Sequence, residues 1–233
     1  MSRVYLGAAG MPAELFSIKM KNKKAPVVTI PRLSFYYRAL MEKSDTQFVS
    51  SQELAELTGT SAAQVRKDFA YFGQFGAAGK GYRVDFLKNS ITRILGVDKK
   101  WPVALVGVGN LGSALLSYKG FLRQGFHVVA AFDSDEEKIG RELAGVIVQN
   151  IDALKDEIKL KKIKIAVVTV PQQAAQDVID KLVRSGIKAI LNFAPVRPRA
   201  PKSVEVHNID LSIELERLAY FLSNSPRRIF GAH

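Results

Sequence analysis

The chain has 233 residues, 47% apolar and 24% charged, which is material for one large or two ordinary domains and too apolar for an overall disordered state. It has no cysteine, so disulfide scaffolds, thiolate zinc sites, Fe–S clusters and cysteine nucleophiles are excluded. Thirty-four Lys and Arg against 22 Asp and Glu leave a formal charge of +12, an excess that calls for an anionic partner, nucleic acid first among them.

No apolar run approaches the roughly 20 residues of a membrane span, and the first residues lack a signal-peptide pattern. A soluble, cytoplasmic protein without a membrane partner is expected. Residues 1–30 show no sustained periodicity and carry Lys19, Lys21, Lys23 and Lys24, which reads as a flexible N-terminal extension. From Pro31, Leu33, Tyr36, Tyr37, Leu40 and Met41 fall at helical spacing and predict a first helix of about three turns. Ser50-Ser51-Gln52-Glu53 is a capping box that opens a second helix, closed at Gly59. A third follows, capped by Thr60 or Ser61 with Gln64 placed for a second box, and with Val65, Phe69 and Phe72 on one face.

Next come four glycines in nine residues, Gly73 to Gly81, and an alternation from Tyr82 to Asp85, which predict a hairpin with a glycine tip. A helix over 86–95 completes a domain spanning 31–98. From Trp101 the pattern becomes strand–helix–strand, with strands expected at 103–106, 128–132, 163–170 and 189–191 and helices up to Tyr118, over 151–160 and over 172–184. Near-continuous Val, Ile and Ala runs indicate strands covered on both faces, hence a doubly wound parallel sheet over 99–209. A last helix over 211–222 follows Asp210 within a terminal segment, 210–233.

Helix, glycine turn, helix and hairpin together make a winged helix-turn-helix. Its third helix leaves Ser61, Gln64, Arg66, Lys67 and Tyr71 off the apolar stripe, where Arg and Lys suit guanine O6 and N7 and Gln or Ser other base edges. Lys80, Tyr82 and Arg83 on the wing would lie over phosphates. Between Ser61 and Arg93 six basic residues stand against Asp68 and Asp85, so the charge clusters at the motif. The glycine stretch is not a phosphate loop, because Gln74 and Gly81 occupy positions where that pattern needs Gly and Ser or Thr.

Gly107-Val108-Gly109-Asn110-Leu111-Gly112 follows a strand and opens a helix, the order a dinucleotide fingerprint requires. Gly107 would make the tight turn, Gly109 admit the pyrophosphate and Gly112 let helix pack on strand. Asp133, ending the next strand, would accept from the adenosine ribose and repel a 2′-phosphate, favouring NAD over NADP. Thr169, Val170 and Pro171 and the segment Asn192, Phe193, Ala194 and Pro195 lie at the carboxyl ends of later strands and are expected to line the nicotinamide half. No metal site is expected. The histidines, His127, His207 and His233, lack an evident orienting partner, so binding without turnover and no catalytic residue are expected. The alternative that remains open is a small NAD-dependent oxidoreductase whose N-terminal bundle only mediates oligomerisation. The last helix, apolar around most of its circumference, calls for enclosure by a second chain, hence a homodimer, an arrangement that an exchanged helix would satisfy.

Taken in order, Q-V-R-K-D-F-A-Y-F-G, the glycine wing, G-V-G-N-L-G, F-D, T-V-P and N-F-A-P-V resemble the Rex family of redox-sensing transcriptional repressors, from about Pro31 to Leu222. The resemblance implies a homodimer with swapped C-terminal helices. It would bind palindromic double-stranded operator DNA when NADH is low and release it when NADH binds, with NAD+ competing for the site. It also implies a polar relay through Arg38, Tyr118 and Asp210. Leu211 stands where some members carry an aromatic residue.

Overall fold

The computed structural model describes residues 25–43, 47–77 and 79–224, and the chain forms two compact units, Met1–Lys99 and Lys100–His233. The basic residues Lys19 to Lys24 and His233 lie outside the described residues.

The first unit begins with α1 (Thr29–Glu42), which starts two residues ahead of Pro31. Proline is accommodated there because the N–H groups of a first helical turn have no intrahelical partner. Leu33, Tyr36 and Leu40 face the core as the spacing predicts, but Met41 is 54% exposed and Ala39 takes the buried place. After β1 (Phe48–Val49), α2 (Ser51–Thr58) opens on the complete capping box: the Ser50 hydroxyl accepts from Glu53 N at 3.1 Å, and the Glu53 carboxylate from Ser50 N at 2.8 Å. It ends on Gly59 in the left-handed conformation.

Helix α3 (Ala62–Ala70) is capped by Ser61, whose hydroxyl accepts from Gln64 N at 3.1 Å. The second box is not completed, because the Gln64 side chain turns forward to Asp68 instead of back to the cap. The wing follows as β2 (Gly76–Ala77) and β3 (Gly81–Arg83), joined with β1 in an antiparallel sheet of order β1-β3-β2. The expected alternation through Asp85 stops at Arg83. Asp85 pairs with Arg83 and accepts from Phe86 N, and α4 (Val84–Leu95) starts two residues earlier than expected. Leu87 and Ile91 of α4 close the core over Leu54, Val65 and Phe69.

The second unit is Rossmann-like. A seven-stranded sheet has the order β10-β9-β8-β4-β5-β7-β6, where β4 is Trp101–Val106, β5 Phe126–Asp133, β6 Glu142–Leu143, β7 Val146–Asn150, β8 Ile165–Val168, β9 Ala189–Asn192 and β10 Glu205–Asn208. All pairings are parallel except β6 with β7. That hairpin has no counterpart among the predicted elements. Helices α5 (Asn110–Leu116) and α6 (Lys119–Arg123) follow β4, with Tyr118 between them. A single 3₁₀ turn (Ile151–Ala153) leads into α7 (Leu154–Leu160), and α8 (Gln172–Arg184) follows β8. From β4 the chain winds one way to β5 and returns to β8 on the other side, which leaves a crevice at the carboxyl ends of β4 and β8. The chain ends, among described residues, in α9 (Leu211–Asn224), which has no buried residue.

Candidate functional site

In the second unit the turn after β4 needs two of its three glycines for the fold and leaves the third open. Gly107 adopts φ +95°, and a Cβ there would strike the Thr169 carbonyl. A Cβ on Gly112 would run into the Gly107 carbonyl and the Thr169 hydroxyl. Gly109 has nothing within 4 Å of where its Cβ would be, so open space lies over the turn at the start of α5. The Thr169 hydroxyl donates to Gly107 O at 2.6 Å, clamping the turn from β8.

Asp133, at the end of β5, reaches across to the same turn: Oδ2 accepts from Val108 N at 2.7 Å, and Oδ1 from Ser134 N at 2.8 Å and Asp135 N at 3.0 Å. Burial raises its pKa, but these N–H donors and the Lys138 ammonium outweigh that and hold the carboxyl below the ordinary carboxylate value. It therefore stays ionised and fixes the turn while facing the cavity. Lys138 bridges Asp133 at 3.4 Å and Asp135 at 3.1 Å.

A cavity of about 730 Å³ opens at this point, within the roughly 300–1,000 Å³ of small-molecule sites. Gly107, Gly109, Leu111, Asp133, Thr169, Val170 and Pro171 line it, all singled out from the sequence. Val108, Asn110, Gly112, Asn192, Ala194 and Pro195 are not on the wall. Asn192 is fully buried behind it: its amide donates to Ala194 O, Val196 O and the Asn208 side chain and accepts from Ala194 N, so it shapes the loop after β9. Of the segment expected there, Phe193 is the residue on the wall. Sequence reasoning missed Lys138 and the α8 face formed by Ala174, Asp177, Val178 and Lys181. The three-and-four spacing along α8 marks these four as one helix face, but nothing in it says that this face meets the cavity. The open face over Gly109, the ionised Asp133 and the cavity could accommodate a dinucleotide, whose pyrophosphate would lie over Gly109 and whose adenosine ribose would turn toward Asp133.

In the first unit α3 presents Ser61, Arg66 and Lys67 exposed and Gln64 half-buried. The Arg66 guanidinium donates to the Ser51 hydroxyl at 2.9 Å, which holds it against α2. Lys80 is exposed beside Gly79 at the wing tip, where φ is +77°. Tyr82 is tied more closely to the fold than its place on the wing suggests. Its ring meets Phe69 edge-on at 5.1 Å, and burial raises the pKa of its hydroxyl, which stays a neutral donor.

Of the relay residues, Arg38 is exposed on α1 of the first unit. Tyr118 is exposed, with its ring edge on Phe121, and Asp210 accepts from Ser212 N at 2.9 Å at the start of α9. No hydrogen bond joins Tyr118 to Asp210 among the described residues. Also among the described residues there is no cluster of side chains able to hold a metal ion, and no helix is long and apolar enough to cross a membrane.

Two family models match the chain: one described as "CoA binding domain" over residues 98–196 and one described as "Putative DNA-binding protein N-terminus" over residues 24–70. Curated relatives named redox-sensing transcriptional repressor Rex include that of Syntrophomonas wolfei, 47% identical over 210 residues, covering 89% of this chain and 100% of the relative. That of Syntrophobacter fumaroxidans is 45% identical over 207 residues, covering 88% and 99%. Among solved structures, the Rex-family repressor RSP in complex with β-NAD+ and operator DNA matches with a TM-score of 0.83 and 38% identity, over 87% of this chain and 94% of that one. The same protein with β-NADH matches with a TM-score of 0.78 and 37% identity, over 87% and 96%.

Proposed function

This chain belongs to the Rex family of redox-sensing transcriptional repressors, and on that premise we propose that it binds operator DNA through its first unit, reads the NADH/NAD+ ratio through its second, and lets go of DNA when NADH binds. The observation that carries this is the cradle at Gly109: a turn clamped by Gly107, Gly112 and Thr169 yet open on the side where a pyrophosphate would lie, with an ionised carboxylate at the ribose position. Leu111, Thr169, Val170 and Pro171 would bound the rest of the dinucleotide, while the buried Val108, Asn192 and Ala194 would support the wall from behind and Pro195 is exposed.

The second unit holds and orients the dinucleotide, and the relatives' names support a regulator that turns nothing over. Reduced nicotinamide is uncharged and suits a crevice free of water, whereas the oxidised ring carries a positive charge that favours hydration. That difference makes one redox form the better ligand of the DNA-releasing state. Its differential affinity must amount to a few kcal/mol to move the population usefully. Ser61, Gln64, Arg66, Lys67 and Lys80 would carry the DNA contact, with Arg and Lys neutralising phosphate and the first turn of α3 meeting base edges. Tyr82 chiefly supports α3 from behind. Arg38, Tyr118 and Asp210 would transmit the change of state.

Helix α9 supports a homodimer. Leu211, Leu215, Leu218 and Leu222 form one stripe and Ile213 and Tyr220 lie opposite, with exposures from 49% at Ile213 to 84% at Leu222. Such a helix needs apolar partners on both sides, as an exchanged helix would find in a second copy. Operator binding places the protein with the chromosome, in the cytoplasm.

The test is a gel shift on a palindromic duplex titrated separately with NADH and NAD+. Release at low NADH and retention in excess NAD+ is the expected result, and equal retention in both would defeat the reading.

A further inference from the structure

Among the described residues of the first unit, Asp68 is the only carboxylate with no exposure. Four hydrogen bonds converge on it. Oδ2 accepts from Arg32 Nε at 2.6 Å and the Tyr36 hydroxyl at 2.9 Å, and Oδ1 from Arg32 Nη2 at 2.7 Å and Gln64 Nε2 at 2.7 Å. Arg32 and Tyr36 belong to α1, Gln64 to the first turn of α3. Burying a carboxylate between two helices is a poor way to gain stability, since an apolar pair of similar volume packs as well without the desolvation cost. What the arrangement supplies is orientation. An ionised carboxylate accepts and never donates, so the nitrogen of the Gln64 amide must face it and the carbonyl oxygen must face away. Without Asp68 the amide could sit either way round.

We propose that the Arg32–Tyr36–Asp68 clamp sets the base preference of the recognition helix by holding Gln64 with its carbonyl oxygen outward. Gln64 then accepts a hydrogen bond from a base amino group, adenine N6 or cytosine N4, and disfavours guanine and thymine, which offer O6 or O4 acceptors at that edge. Asp68 is thus a positioning residue, acting through Gln64 without reaching DNA itself. The inference rests on the reading that the first unit binds operator DNA.

The experiment uses the full chain and a pool of palindromic duplexes with randomised half-sites, sequenced before and after binding. The wild-type protein should enrich A or C over G or T at one half-site position by roughly tenfold. Gln64→Ala should lose that preference at that position alone. Asp68→Asn, whose amide can donate to a reversed Gln64, should lose or invert it at the same position, and the double variant should match Gln64→Ala. Circular dichroism and NADH binding report whether each variant is folded.

A folded Asp68→Asn variant with the wild-type base preference overturns the proposal. Should that variant fail to fold, the half-exposed Gln64→Ala still decides: an unchanged preference overturns it, and loss at a single position supports it. A wild-type protein that enriches no duplex overturns the DNA-binding reading and this inference with it, an outcome distinct from enrichment that ignores Gln64.

Discussion

Gly109 and Gly112 lie three residues apart and separate binding from folding. Gly109 has φ −81° and open space beyond its α-carbon, so alanine fits the protein and obstructs only what would occupy the cradle. Gly109→Ala should leave the melting temperature of the ligand-free protein within the scatter of a surface change, about 0.5 kcal/mol, and abolish the shift produced by NADH. Gly112→Ala drives a methyl into the Gly107 carbonyl and the Thr169 hydroxyl, and should lower ligand-free stability by about 1–3 kcal/mol, the range of overpacking. Melting curves with and without NADH check both.

Asp68 carries a pH signature. Burial raises its pKa, but hydrogen bonds from Arg32, Tyr36 and Gln64 outweigh burial and leave it below the ordinary value. A carboxyl depressed on folding stabilises fully above its unfolded pKa of about 3.9, and that contribution is lost as pH falls through the folded value. The melting temperature of the first unit should therefore fall below about pH 4 in the wild-type protein, and more shallowly in Asp68→Asn. Gly107 was legible in the sequence because its positive φ is a local backbone demand, and Gly109, Gly112 and Asp133 because their spacing from it along the strand–turn–helix–strand order is fixed. Lys138, Lys181 and the buried life of Asn192 were not, since they depend on which strands and helices become neighbours.

Elements whose ends are set by their own residues were the readable ones. The capping box before α2 appears as the spacing required, with both of its hydrogen bonds made. Ser50→Ala should cost about 1 kcal/mol in denaturant unfolding of the first unit, and Ser50→Asp, which restores an acceptor at the cap, should recover most of it. Gln64 has the same spacing from Ser61 but makes only half a box, because a buried carboxylate four residues on competes for its side chain. The hairpin β6–β7 went unseen for a different reason. Its two-residue turn is Ala144-Gly145, at φ 51° and 82°, a mirror-image turn that normally announces itself with Asn or Asp in the first place. Ile147 is also exposed where alternation would lead one to expect burial of bulky residues, and only Val148 of β7 is buried.

For the whole molecule the parallel sheet was written in its apolar runs, and α9 in having too many apolar sides for one neighbour. A helix with leucines along one stripe and Ile213 and Tyr220 opposite would aggregate unless each side had a fixed partner. The symmetry of the proposed homodimer would provide one and would bring two recognition helices to the two halves of a palindrome, about 34 Å apart along the duplex. Once the first half-site were held, binding of the second would become intramolecular, and the linkage would multiply affinity by about 10²–10⁴ without any new contact. Leu218→Asp combined with Leu222→Asp places two charges in the stripe and should give a monomer in sedimentation. That monomer should bind the full palindrome no better than a single half-site, about 10²–10⁴-fold more weakly than the wild-type protein. The salt dependence should fall with it, because a monomer displaces counterions from only one set of phosphates. A variant that sediments as a monomer yet keeps wild-type affinity and salt slope on the palindrome would show that α9 serves some end other than pairing two DNA-reading surfaces.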